Sequence, residues 1–363
     1  MATKKSKLAL MLIASAISAL SVEQAVACSR VMYSGPANVV VTGRSMDWME
    51  DMSANLWVLP KGITNTGAAG PNSITWTSKY GSVVTTAYDI AVADGMNEKG
   101  LVANLLYLAK AQYGQVGDKP TLSTLMWAQY ALDNFASVNE AVQAMKSEPF
   151  KLVAPVLPNG SASTLHLSLS DASGDSAIFE YLDGKLVIHH GKQYKVMTND
   201  PNYDKQLAIN SYWKDVGGVN FLPGTISPSD RFARGSYMMD SMPNTVLKRF
   251  SNALPTKNLE TQSSLSMLGI MRSISVPLGE SVPGKPDVAS TLWRSIADQK
   301  SRVYYFDSAL SPNTLWVDLK KLDLSQGAPV KKLTTAGGKI YAGETSQLFE
   351  PAKIFKPKDA KPN

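Results

Sequence analysis

The sequence predicts an α+β fold with helices layered on stacked β-sheets. Three observations lead there. Strand-like segments dominate residues 38–109, a helical pair at 120–147 is followed by a second strand block at 164–201, and strands return after helices at 229–273. With 363 residues and 44% hydrophobic content, the chain can bury a large core.

Taken in order, "NVVVTGRSMDW" (38–48) opens with a β-branched run, predicting a strand over 38–42 that ends at Gly43. "SITWTSKYGSVVTTAYDIAVAD" (73–94) holds two short strands joined through Gly81. Gly95 and Gly100 bracket the polar loop "GMNEKG", and "LVANLLYLA" (101–109) is the next strand. In "PTLSTLMWAQYALDNFASVNEAVQAMKS" (120–147), Leu122, Leu125, Met126, Tyr130 and Leu132 fall near helical spacing, with Met126 and Trp127 read as core. Ser137 followed by Glu140 has the form of a capping box for a second helix. "TLHLSLSDASGDSAIFEYLDGKLVIHH" (164–190) reads as three strands turning at "DASGD" and "DG", and "YKVMTNDP" (194–201) adds a strand that ends in a turn. Helices are expected at 229–242, 244–253 and 261–273, and strands at 302–307 and 313–318. No fixed-period repeat and no long low-complexity linker interrupts this order.

The N-terminus carries the three parts of a secretory signal: basic "MATKKSK", apolar "LALMLIASAISAL" and polar "SVEQAVA", which ends in A-x-A. The apolar run is too short to span a bilayer. The expected organisation is therefore a signal over 1–27 and one domain over 28–363 of an exported protein, periplasmic or secreted. No stable membrane insertion is expected. Removing Met1–Ala27 takes away Lys4, Lys5, Lys7 and Glu23 and leaves 33 basic against 29 acidic residues, which does not suggest nucleic-acid binding. Lys353, Lys356, Lys358 and Lys361 read as a solvated basic tail.

Cleavage after Ala27 would leave Cys28, the chain's only cysteine, at the new N-terminus. Three readings are open at this point: an inert apolar residue, a lipid attachment site, and a nucleophile. Against lipidation, Ala25 stands where a large aliphatic residue is expected, and Glu23 and Gln24 separate the apolar run from Cys28. The three histidines, His166, His189 and His190, lie in strand patterns and read as structural. One cysteine excludes a thiolate zinc site, no H-E-x-x-H spacing exists, and neither glycine-rich nucleotide motif occurs, so no metal or organic cofactor is expected. An N-terminal cysteine carries its own base, because a free α-amine titrates at about 7.7–8.0. Such a site needs a carboxylate for the amine, a cation near the sulfur and donors for an oxyanion. "GRSMDW" (43–48) offers Arg44 and Asp47 for the first two jobs, with a surface ion pair as the plain alternative.

Cys28 after a cleavage site, "GRSMDW", "DGMNEKGL" (94–101), "VMTNDP" (196–201) and "SDRFAR" (229–234) occur in an order that resembles the choloylglycine hydrolase family, which contains penicillin V acylases and bile salt hydrolases. The resemblance runs from Cys28 to about residue 320. It implies the four-layer αββα sandwich of the N-terminal nucleophile hydrolases and a homotetramer. It also implies Cys28 as nucleophile with its amine as base, Asp47 on that amine and Arg44 near the sulfur. Asn199 and the backbone N–H at Tyr107 would be the oxyanion donors, and Arg231 would complete the polar network. Tyr107 leans toward penicillin V acylases rather than bile salt hydrolases, and the signal toward Gram-negative relatives that also cleave long-chain N-acyl homoserine lactones. Trp48 and Tyr107 are the expected contacts to a small-molecule amide, with Trp57 and Trp76 read as core or as further contacts. The alternatives are a conjugated bile salt hydrolase and, from another class, a lipid-anchored envelope binding protein with acylated Cys28.

Overall fold

The computed structural model describes residues 28–217, 220–280, 289–311 and 313–360. The expected signal, 1–27, lies outside the described residues. Strands β1 (Ser29–Ser34) and β2 (Val40–Trp48) form an antiparallel pair, followed by β3 (Leu56–Leu59) and the small strands β4 (Thr64–Thr66) and β5 (Thr75–Thr77). Strands β6 (Ser82–Ala87), β7 (Ala91–Asn97) and β8 (Val102–Tyr107) come next. β9 (Thr121–Ser123) leads into helices α1 (Trp127–Asn134) and α2 (Val138–Met145), and β10 (Lys151–Val153) pairs back on β9. The second strand block is β11 (Leu165–Ser170), β12 (Ser176–Leu182), β13 (Lys185–His190) and β14 (Val196–Thr198). Helices α3 (Tyr203–Val216), α4 (Pro228–Asp240) and α5 (Leu259–Ser273) precede β15 (Ser290–Asp298), β16 (Val303–Ser308) and β17 (Thr314–Asp318). The short strands β18 (Lys331–Leu333), β19 (Gly343–Glu344) and β20 (Glu350–Pro351) close the order.

Two large sheets result. One has seven strands in the order β14-β1-β2-β15-β16-β17-β19, and the other nine in the order β13-β12-β11-β8-β7-β6-β3-β18-β20. Trp127, Leu132, Val138 and Val142 of α1 and α2 pack with Leu167, Leu169 and Phe179 on the outer face of the nine-stranded sheet. Phe232 of α4 and Met267 and Met271 of α5 pack with Val31 and Val41 of the other sheet. The sheets meet face to face between these helix layers, giving the αββα sandwich.

Strand β2 shows how the layers partition the sequence, since alternate side chains of a strand point to opposite faces. Gly43 and Asp47 face the helices: a Cβ at Gly43 would lie 2.6 Å from Met271 of α5, and Asp47 meets Arg231 of α4. Thr42 and Arg44 face the other sheet, where Thr42 bonds Ser170 of β11 at 2.8 Å and Arg44 bonds the Leu105 carbonyl of β8 at 2.9 Å.

Several expectations change. The strand expected over 38–42 runs on through Trp48, because Gly43 is a point of close helix approach and not a terminus. Gly95 lies inside β7 and only Gly100 turns the chain, at φ +82. Residues 121–123 form a strand, so the first helix of the pair begins at Trp127. Ser137 does cap the second by accepting from Glu140 N at 3.3 Å. The helix expected over 244–253 is a 3-10 segment, Lys248–Ala253, with no buried residue to hold an α-helix. Helix α3 was not expected, since only Tyr203 and Gln206 along it are buried and apolar periodicity is missing. Strand β15 was not expected either: it is buried on both faces and carries Arg294 and Asp298, so no alternation marks it. Near the C-terminus Lys353 and Lys356 are exposed, but the segment is docked. Phe355 and Ala360 are buried, and Ala360 N donates to the Ala68 carbonyl at 2.8 Å.

Candidate active site

Register places Cys28. Ser29 lies opposite Ser45 of β2 on one side and Thr198 of β14 on the other, so Cys28, one residue earlier, falls between Met46 and Asn199. Its Sγ is 3.9 Å from Met46 Sδ and donates weakly to the Asp47 carbonyl at 3.7 Å. Arg44 Nη2 approaches the same Met46 sulfur at 3.4 Å, and its guanidinium lies 4.4 Å from the centre of the Trp293 ring. Thiol and guanidinium therefore meet across Met46. Burial pushes the Cys28 thiol up, and the Arg44 charge is the largest influence drawing it back down.

On the opposite face of β2, both oxygens of Asp47 are engaged. Oδ2 accepts from Arg231 Nη1 at 2.7 Å and Oδ1 from the Thr291 hydroxyl at 2.5 Å. Thr291 Oγ1 itself accepts from Val276 N at 2.8 Å, which directs its one proton toward Asp47. Arg231 also donates to Ser29 Oγ at 2.9 Å, to the Cys28 carbonyl at 3.5 Å and to the Ile226 carbonyl at 3.0 Å. This guanidinium fastens the main chain at Cys28 to the Asp47 carboxylate. Burial raises the Asp47 carboxyl, and Arg231, Thr291 and Arg44, in that order, oppose it.

Asn199 Nδ2 donates to the Tyr107 carbonyl at 2.6 Å, while its Oδ1 is buried without a hydrogen-bond partner among the described residues. Gln206 of α3 clamps this turn: its side-chain amide donates to the Thr198 and Pro201 carbonyls at 3.0 and 2.5 Å and accepts from Thr198 N at 3.1 Å. The Trp48 and Tyr107 rings meet edge to face at 6.2 Å, and Trp48 Nε1 donates to the Tyr88 hydroxyl at 3.0 Å. Together they border a cavity of about 490 Å³, open mouth included, with Cys28 and Arg44 in its wall. Its remaining wall is almost wholly apolar, including Met52, Ala91, Ala93, Leu125 and Leu157.

The seven residues expected at the site, Cys28, Arg44, Asp47, Trp48, Tyr107, Asn199 and Arg231, thus lie around Cys28 or the cavity beside it. Arg44 and Asp47 do not pair with each other on the surface, however. Both are fully buried, and three residues apart on a strand puts them on opposite faces. Trp57 and Trp76 do not line the cavity; they are buried with their indole N–H groups on Asp89 and Asp133 at 3.0 and 2.7 Å. His166, His189 and His190 pair with Glu180, Asp204 and Asp175, away from Cys28. Sequence reasoning missed Thr291, Ser29 and Gln206. Thr291 sits on the unexpected strand β15 and Gln206 on the unexpected helix α3, while Ser29 adjoins Cys28 and was open to inspection. Among the described residues, no His, Cys, Asp and Glu are grouped to hold a metal ion, and no helix is long and apolar enough to cross a membrane.

Known proteins resemble this chain in both sequence and fold. The family model described as linear amide C–N hydrolases, choloylglycine hydrolase family, matches residues 28–334. The chain is 45% identical over 344 residues to a penicillin V acylase of Pectobacterium atrosepticum, an alignment spanning 91% of each protein. The structure of a penicillin V acylase from Agrobacterium tumefaciens aligns with a TM-score of 0.81 at 47% identity, over 91% of this chain and 99% of that one. A conjugated bile acid hydrolase from Clostridium perfringens shares the fold, with a TM-score of 0.70 at 22% identity over 87% of this chain and 98% of that one.

Proposed function

Because the chain belongs to the choloylglycine hydrolase family and is a linear amide C–N hydrolase of penicillin V acylase type, we propose that it works through Cys28 as an N-terminal nucleophile. Removal of 1–27 during export, to the periplasm or beyond, exposes the cysteine and frees its α-amine. The amine takes the thiol proton, and the sulfur attacks the substrate carbonyl carbon. One amide hydrogen of Asn199 is held by the Tyr107 carbonyl, leaving the second, with the Tyr107 backbone N–H, for the oxyanion. The protonated amine then gives its proton to the leaving nitrogen as the C–N bond breaks, leaving a thioester. Water, deprotonated by the same amine, releases the acid and regenerates Cys28. Asp47 orients the amine and Arg231 holds Asp47 in place.

The observation that carries this reading is the apolar cavity with Cys28 and Arg44 in its wall and Trp48 and Tyr107 at its rim. It suits an aryl or long aliphatic acyl group: the phenoxyacetyl group of penicillin V and, we propose, the acyl chain of N-acyl homoserine lactones. The test begins with the mass of the N-terminal peptide of the exported protein. A free cysteine is expected there; a diacylglyceryl group on its sulfur would remove the thiol nucleophile and with it the mechanism. Hydrolysis of penicillin V, a long-chain acyl homoserine lactone and glycocholate is then compared. The first two should be cleaved well and the third poorly, and Cys28→Ala should abolish turnover. Full activity in that variant would overturn the assignment of Cys28.

A further inference from the structure

One buried cation of the site has no acid in contact with it. Arg44 is fully buried, yet among the described residues no carboxylate lies within ion-pair distance of it, and its Nε and Nη1 have no hydrogen-bond partner. Asp47, the nearest acid in sequence, is committed to Arg231 on the other face of β2. A buried guanidinium without compensation is costly, so a counter-charge is expected within the same low-dielectric space.

Asp94 of β7 meets that description. It is fully buried between the sheets, and its carboxylate accepts from Asn104 Nδ2 at 2.5 Å and from the Tyr304 hydroxyl. The Tyr304 oxygen is hydrogen-bonded to Thr85 Oγ1 at 2.8 Å, and the Ser295 hydroxyl also bonds Asp94. Two of these supports lead straight to Arg44. Ser295 is the cross-strand partner of Arg44, and Asn104 precedes Leu105, whose carbonyl Arg44 holds. Burial raises the Asp94 carboxyl, and the Arg44 charge is the largest influence opposing that rise.

We propose that Asp94 is the buried counter-ion of Arg44, a positioning residue that sets how much of the guanidinium's charge is felt at the Cys28 thiol. The strand β2 then separates two charge pairs, Asp47 with Arg231 toward the helices and Arg44 with Asp94 between the sheets. The charged and titratable groups facing the thiol are Arg44 and Asp47 from β2 and Arg231 from α4, with the Tyr107 phenol across the cavity and, in the mature protein, the α-amine of Cys28 itself, which is common to every variant compared. Those facing Asp94 are Arg44 and Tyr304.

The proposal rests on the reading of Cys28 as the reacting group, but its test needs no substrate. Cys28 is the chain's only cysteine, so its alkylation by iodoacetamide can be followed against pH in the mature protein. Asp94→Asn keeps the shape and removes the charge. The alkylation profile should move to lower pH by about one unit, because Arg44 then acts on the thiolate unopposed. In an Arg44→Gln background the charge that Asp94 offsets is gone, so the second substitution should shift the profile far less. An unmoved profile in the first case, or equal shifts in both backgrounds, would overturn the proposal. Should Asp94→Asn fail to fold, Tyr304→Phe weakens the ionisation of Asp94 without replacing it and should move the profile the same way by less; no movement would overturn the proposal equally. A failed penicillin V assay would count against the proposed substrate and leave this outcome standing.

Discussion

Thr291 and Asn199 act on the reaction through different bonds, and substituting each should give a different kinetic signature. Thr291 donates to Asp47 and accepts from Val276 N, both within the core. Thr291→Val preserves shape but strands the Val276 N–H, which should lower stability by about 1–3 kcal/mol. It also removes a donor that draws the Asp47 carboxyl down, so Asp47 becomes easier to protonate. The acid limb of kcat/KM for penicillin V should therefore move to higher pH, and Thr291→Ser should restore it. An acid limb that stays in place would mean Asp47 does not set it. Asn199→Ala removes an oxyanion donor and should cost roughly 10²–10³-fold in kcat with little change in KM. A rise in KM at constant kcat would place Asn199 in substrate binding instead.

The meeting of β2 with α5 turns on a single missing side chain. A Cβ at Gly43 would stand 2.6 Å from Met271 Cγ and 2.8 Å from Met267 Cγ. Gly43→Val should then lower stability by about 1–3 kcal/mol through overpacking, read as a drop in denaturation midpoint. Met271→Ala in the same chain should recover part of the loss by making room; an additive loss would locate the strain elsewhere. At the start of α2, Ser137→Ala should cost about 1 kcal/mol, the usual worth of such a cap. These two sites also show what a sequence can disclose. The Ser137 cap was legible because capping is local, settled by residues three apart. The role of Gly43 was not, because a glycine before a charged stretch looks the same whether it ends a strand or admits a helix from far along the chain. The same limit hid β15 and α3. One is buried on both faces and the other buries little, so neither carries the periodicity of a half-buried element. Most of the site was nevertheless legible, since Cys28, "GRSMDW" and "TNDP" fall in short motifs. Their convergence depends on β1 pairing with both β2 and β14.

The sandwich places ionisable groups in two dry regions, between the sheets and beneath the outer helices, and these shape how stability follows pH. Asp133 of α1 belongs to the second region. Its carboxyl accepts from Trp76 Nε1 at 2.7 Å, Asn65 Nδ2 at 2.9 Å and Gln129 Nε2 at 2.6 Å, tying the β4–β5 pair to α1. Burial outweighs these donors and pushes the carboxyl up to about 7. In the unfolded chain an aspartate titrates at about 3.9, so between these values the folded protein holds a proton that the unfolded chain has released. Stability contributed by this group is then full below about pH 4 and is lost as pH rises through about 7, opposite in sign to the usual behaviour of a salt-bridged acid. Asp133→Asn removes the titration but leaves the side chain's size. The variant can be less stable at every pH; the quantity to follow is the difference in Tm, variant minus wild type, from pH 4 to 8. That difference should climb toward neutrality and level off above about pH 7, as the wild type alone gives up its proton. A flat difference would mean that the three donors keep Asp133 ionised throughout, and that burial beneath α1 does not govern this carboxyl.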